Sequence, residues 1–113
     1  METQLEVSKT IEHLAQIYSG VYDLNDNALH RLYSLCNLMD SLADEFGADE
    51  VQYTVDPNRR HGYIHVELTD LEFSGGRNHY FFNGIKDADY IGFETSHGNL
   101  KVNVGVEHLW VKI

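Results

Sequence analysis

Residues 42–56 have the sequence LADEFGADEVQYTVD, and the spacing of their apolar side chains changes in the middle. Leu42 and Phe46 are four residues apart, as on one face of a helix, whereas residues 51–55 alternate apolar and polar side chains, as in a strand. Gly47 lies between the two patterns, and glycine often ends a helix because it adopts the left-handed conformation at low cost. The sequence therefore predicts helices before this glycine and strands after it.

The predicted helical part contains two amphipathic helices. The apolar stripe of the first is formed by Val7, Ile11, Leu14, Ala15 and Tyr18. The stripe of the second is formed by Leu29, Leu32, Leu35, Cys36, Met39, Leu42, Ala43 and Phe46. Gly20 can end the first helix, and Asn25 or Asp26 can cap the second by accepting a backbone N–H. Because residues 21–25 form a short connection, we expect an antiparallel helical hairpin.

The predicted β part is a largely antiparallel sheet of four to five strands. The segments with strand character are 51–55, 64–68, 71–73, 89–95 and 100–106, with a final short strand within 108–113. Residues 79–87 suit a short helix, although Tyr80, Phe81 and Phe82 also have strand propensity; we favour the helix. The predicted order is ααβββ(α)ββ, in the α+β class, with one sheet face packed on the helical hairpin.

The chain has 113 residues, which fits a single domain spanning 1–113, with a helical half (1–50) and a β-rich half (51–113). Its one cysteine, Cys36, lies in an apolar stripe, which favours a buried structural thiol over a nucleophile. The acidic N-terminal segment lacks the basic and apolar regions of a secretion signal, and no run of 18 apolar residues occurs. We therefore expect a cytoplasmic protein without a membrane-spanning helix.

The net charge of −10 is distributed unevenly along the chain. Residues 1–58 contain eleven acidic and two basic side chains, whereas residues 59–113 contain seven acidic and six basic ones. Such a field repels nucleic acids and anionic membranes and attracts basic surfaces, so neither direct nucleic-acid binding nor membrane binding is expected. The candidate partner-binding carboxylates cluster around the end of the second helix and the following loop: Asp40, Asp44, Glu45, Asp49 and Glu50.

Seven histidines invite the hypothesis of a metal site. The closest pair, His61 and His65, belongs to a predicted strand, where residues four apart are separated by about 13 Å. Zinc–nitrogen bonds are about 2.0–2.1 Å long, so these two rings cannot bind one ion without a bend in the chain. His65 and Glu67 lie on one strand face, roughly 7 Å apart, and would need ligands from elsewhere. No metal site is predicted.

Residues 74–79 (SGGRNH) offer a second candidate, an anion-binding loop that leads into a short helix. The segment matches neither the Walker pattern nor the dinucleotide-binding fingerprint, and such glycine pairs more often form turns. Arg77 and His79 are the candidate ligand-binding residues if the domain holds a small anionic molecule. Pairs such as Glu67 and Glu72 are not placed in a cleft by their spacing, and no nucleophile elbow occurs, so no catalytic residue and no cofactor is predicted.

The charge asymmetry suggests a small acidic inhibitor that occupies a basic, nucleic-acid-binding surface of a partner protein. Acidic inhibitors from phages and mobile elements, including anti-CRISPR proteins, are similar in size and charge, although no family motif is shared. Two alternatives stay open. One is an immunity or adaptor protein for a basic partner, and the other is an α+β domain that binds a small ligand or metal.

Overall fold

The two predicted helices precede the four strands of the main sheet in the computed structural model, which describes residues 2–68 and 83–113. The helices are α1 (Thr3–Ile17) and α2 (Asp26–Phe46). The strands are β1 (Tyr22–Leu24), β2 (Val51–Asp56), β3 (His61–Leu68), β4 (Tyr90–Ser96), β5 (Asn99–Val106) and β6 (Trp110–Lys112). This order confirms the predicted α+β class. No helix within the described residues is long and apolar enough to cross a bilayer.

Four strands form an antiparallel sheet in the order β2-β3-β5-β4. At its centre Ile64 of β3 is paired with Val104 of β5, and both side chains are fully buried. They join the core formed with α2, which packs on these two strands, while α1 packs on α2 and β2. The helices therefore cover one face of the sheet, and the polar side chains that alternate with the core residues lie on the opposite face.

Local signals set the boundaries of α2. Asn25 caps the helix by accepting hydrogen bonds from the backbone N–H groups of Asn27 and Ala28, as predicted. Gly47 ends it with a φ of 75°, a left-handed conformation that glycine adopts without the steric penalty of a side chain. The last turn of the helix contains no basic residue.

A two-stranded antiparallel ribbon, β1 with β6, joins the helix connection to the final segment. The predicted final strand forms and buries Trp110, which is paired with Leu24 in the register. The sequence did not predict β1, because three residues between two helices are too few to show an alternating pattern.

The predicted short helix at 79–87 is only partly within the described residues. A 3₁₀ turn occupies Ile85–Asp87 directly before β4. Residues 79–82 of the predicted helix, and the predicted strand at 71–73, lie outside the described part of the chain.

Candidate functional site

The end of α2 carries a group of exposed acidic side chains. Asp44 and Glu45 lie in the last turn, and Asp49 and Glu50 follow in the loop that leads to β2. We call these four the helix-end carboxylates. Because the helix dipole places partial negative charge at this end and no basic residue in the turn offsets it, the local potential is strongly negative.

Asp40 does not belong to this surface, which corrects its selection as a partner-binding residue. Its side chain is buried and accepts hydrogen bonds from the backbone N–H of Thr3, at 3.0 Å, and from the Thr3 hydroxyl. The antiparallel hairpin brings the start of α1 beside the second half of α2, so the carboxylate satisfies an N–H group that has no partner within its own helix. Asp40 is thus a structural cap.

A groove of about 930 Å³ lies on the sheet face opposite the helices. Its acidic and basic lining residues are Asp49, Glu50, His65, Glu67, Glu94 and Lys101. We call it the open-face groove. Since Asp49 and Glu50 belong to both features, the helix-end carboxylates continue directly into the groove.

One end of the groove is a row of charges across three strands. The strand register pairs Lys101 of β5 with Glu67 of β3 on one side and with Glu94 of β4 on the other. All three side chains are exposed, and Glu67 also accepts a hydrogen bond from the Asn99 side chain at 3.1 Å. Within the described residues, no ion pair shorter than 4.0 Å joins Lys101 to either glutamate. Asp49 and Glu50 also line the groove, so its lining contains four carboxylates and one ammonium group.

The other end of the groove is aromatic. The rings of Tyr63 and Tyr90 lie next to each other, with centroids 5.4 Å apart, and the His61 ring stacks on that of Tyr63 at 4.2 Å. The Tyr63 ring covers Gly105 so closely that a Cβ there would overlap it. The Tyr90 hydroxyl extends over Gly92, at 2.7 Å from the position of a Cβ. Gly92 thus lowers the floor of the groove and Tyr90 forms its aromatic wall, whereas Tyr63 and Gly105 lie beside them outside the lining.

His65 lies between the aromatic and charged ends, in register with Gln52 and Asn103. Partial burial lowers the pKa of His65, and the Asn103 carboxamide offsets part of that effect. At pH 7 the imidazole is therefore mainly neutral and leaves the negative charge of the groove in place.

The remaining sequence predictions have mixed outcomes. Arg77 and His79, the candidate ligand-binding residues, lie outside the described residues, as does Glu72. Cys36 is fully buried, as predicted; burial, followed by the neighbouring Asp40, raises the pKa of the thiol to about 12, so it is a poor nucleophile. Across the described parts of the chain, no group of three or more His, Cys, Asp or Glu side chains is arranged to hold a metal ion.

Comparison with known proteins identified no matching family model, no similar curated protein and no similar solved structure. The helix-end carboxylates and the open-face groove are therefore the features from which a function can be inferred. The groove was missed by sequence reasoning. Its polar face was visible as Lys101, Asn103 and Gly105 alternating with valines, but which residues of other strands lie beside them depends on the register.

Proposed function

We propose that this protein is a binding inhibitor that occupies a basic, nucleic-acid-binding surface of a partner protein. The observation that carries the proposal is the continuity of its acidic surface: Asp49 and Glu50 connect the exposed end of α2 to the carboxylates of the groove. By size and charge we place it with the anti-defence inhibitors of phages and mobile elements, such as anti-CRISPR proteins.

The physical basis is the replacement of phosphates by carboxylates. A nucleic-acid-binding surface presents Lys and Arg side chains at intervals along a groove, and their affinity for phosphates is largely electrostatic and falls with salt. Carboxylates at a helix end and along a sheet face offer the same basic side chains alternative charge-assisted hydrogen bonds. Binding of this kind is fast, sensitive to ionic strength and competitive with nucleic acid.

A capture experiment with matched charge variants tests the proposal. The protein is immobilised and exposed to nuclease-treated lysate of its source, with the double variants D44K/E45K and E12K/D23K beside it. Glu12 and Asp23 are exposed carboxylates outside the candidate surface, so both variants change the charge equally. The proposal predicts a basic protein that is captured by the native chain and by E12K/D23K, but not by D44K/E45K.

The captured protein is then challenged with salt and with DNA or RNA. Release by both supports an inhibitor that competes with nucleic acid. Release by salt alone contradicts competition with nucleic acid and favours the immunity or adaptor function. Capture that is equal for D44K/E45K and the native chain contradicts the role of the acidic surface.

A further inference from the structure

We propose that the open-face groove is a binding site for arginine side chains of an extended segment of the partner protein. The inference rests on the proposed function and deepens it, since it assigns the groove a ligand group, the guanidinium, and leaves the helix-end carboxylates as the surrounding electrostatic surface.

The charged row provides acceptors for a cation. Glu67 and Glu94 lie on either side of Lys101, on strands separated by one strand, hence about 10 Å apart. Neither is held in an ion pair by Lys101 within the described residues, so each carboxylate keeps acceptor positions towards the groove. A carboxylate binds a guanidinium through two parallel hydrogen bonds, which an ammonium group cannot form.

The aromatic wall favours the same ligand. Tyr90 lines the groove and is 42% exposed, so its ring presents aromatic surface there, and the neighbouring ring of Tyr63 packs beside it from outside the lining. The guanidinium is planar and weakly hydrated, and it stacks on aromatic rings, whereas an ammonium is a compact and strongly hydrated charge. A site with carboxylates at one end and the Tyr90 ring at the other therefore selects arginine over lysine.

The glycine in the floor of the groove lets the Tyr90 ring lie close to the charged row. Gly92 lies in the same row as His65 and Asn103, and because it has no side chain the Tyr90 hydroxyl extends over it towards the charged row. Its φ is outside the left-handed region, so other residues are compatible with the backbone at this position. A valine there would fill the floor and displace the Tyr90 hydroxyl without a change of charge.

The same lining disfavours an anionic occupant. An acidic segment, or a phosphate, would face four carboxylates and one ammonium group in the described lining of the groove. Because like charges repel, such an occupant would bind more weakly than a cationic one, which determines the specificity of the groove. The occupant is therefore cationic, and the tyrosine wall determines which cation binds best.

The test is an NMR titration of the full ¹⁵N-labelled chain with capped peptides of alternating alanine and arginine, or alanine and lysine. We expect the arginine peptide to shift the backbone amides of Gly92, Asn103 and Lys101, and to bind about fivefold or more tightly than the lysine peptide. E67Q/E94Q, which keeps the side-chain shape, is expected to weaken binding about tenfold, and G92V by a similar factor. The control E12Q/D23N removes as many charges elsewhere and is expected to change binding less than about twofold.

Each contrary outcome identifies the element that fails. Equal affinity for the two peptides contradicts guanidinium recognition. Shifts confined to Asp44 and Glu45 contradict the groove as the site, yet they leave the proposed function standing, because that function is tested separately by D44K/E45K. If G92V does not fold, E67Q/E94Q decides the result, and unchanged binding by that variant overturns the inference. If no peptide binds while the native chain still captures a partner, the groove inference alone is wrong.

Discussion

Asp40 in α2 accepts two hydrogen bonds from Thr3, the first residue of α1, across 37 positions of sequence. The pair ties the start of one helix to the second half of the other and gives a buried carboxylate its partners. The sequence suggested this side chain as part of a binding surface, but its role is to hold the two helices together.

Removal of this cap is expected to destabilise the protein. In D40A the N–H and hydroxyl groups of Thr3 lose their acceptor in a buried place, and we expect a loss of about 2 kcal/mol in the free energy of unfolding. Urea denaturation measures the change. The exposed neighbour Asp44 provides the control, since D44A is expected to change stability by less than about 0.5 kcal/mol. Similar effects of the two variants would contradict the capping role.

Charge reversal at the end of α2 is expected to raise stability while it abolishes partner capture. Lysines at Asp44 and Glu45 complement the helix dipole, and each contributes about 0.3–1 kcal/mol. E12K, in the middle of α1, is the control without a dipole effect, and urea denaturation of the two variants measures the difference. A D44K/E45K variant less stable than E12K would show that these carboxylates have a structural role after all.

The glycine floor under Tyr63 makes a further prediction. In G105A the new Cβ would overlap the tyrosine ring and approach the Gly62 carbonyl oxygen, so we expect a loss of about 2–3 kcal/mol. Truncation of the ring in Y63A/G105A removes the larger of the two overlaps. Thermal unfolding of the single and double variants should therefore show that Y63A lowers the stability less in the G105A background than in the native chain. Additive effects would contradict the close contact.

The lowered pKa of His65 gives a pH dependence with a defined sign. Burial disfavours the protonated imidazole in the folded state, whereas the unfolded state protonates at its ordinary pKa of about 6.5. The neutral form therefore supports folding fully above that pH, and stability falls as pH decreases below it towards the lower folded-state pKa. Urea denaturation at pH 7.5 and 5.5 should show a smaller loss for H65Q than for the native chain. An equal loss would contradict this assignment.

Sequence patterns predicted the parts of this fold that depend on residues close together along the chain. The cap at Asn25, the stop at Gly47 and the alternation in β5 are local signals, and the structure confirms them. The role of Asp40 could not be predicted in this way, because its partner lies at the other end of the hairpin. The same limit applies to β1, whose strand character derives from its pairing with β6.

The candidate site was likewise predictable from the sequence only in part. The exposed carboxylates Asp44, Glu45, Asp49 and Glu50 were identified from composition and spacing alone. The groove was not, because a row such as Glu67, Lys101 and Glu94 exists only once the register of three strands is fixed. Charge can be counted along a sequence, whereas a concave surface requires the tertiary structure.

The role of the acidic surface is tested by the affinity of the captured partner for the native chain, D44K/E45K and E12K/D23K, measured across a series of salt concentrations. The acidic-surface account predicts that the native chain and E12K/D23K bind alike, that both lose affinity steeply as salt increases, and that D44K/E45K binds at least about tenfold more weakly at low salt. An affinity that is independent of salt and equal for all three proteins would contradict it.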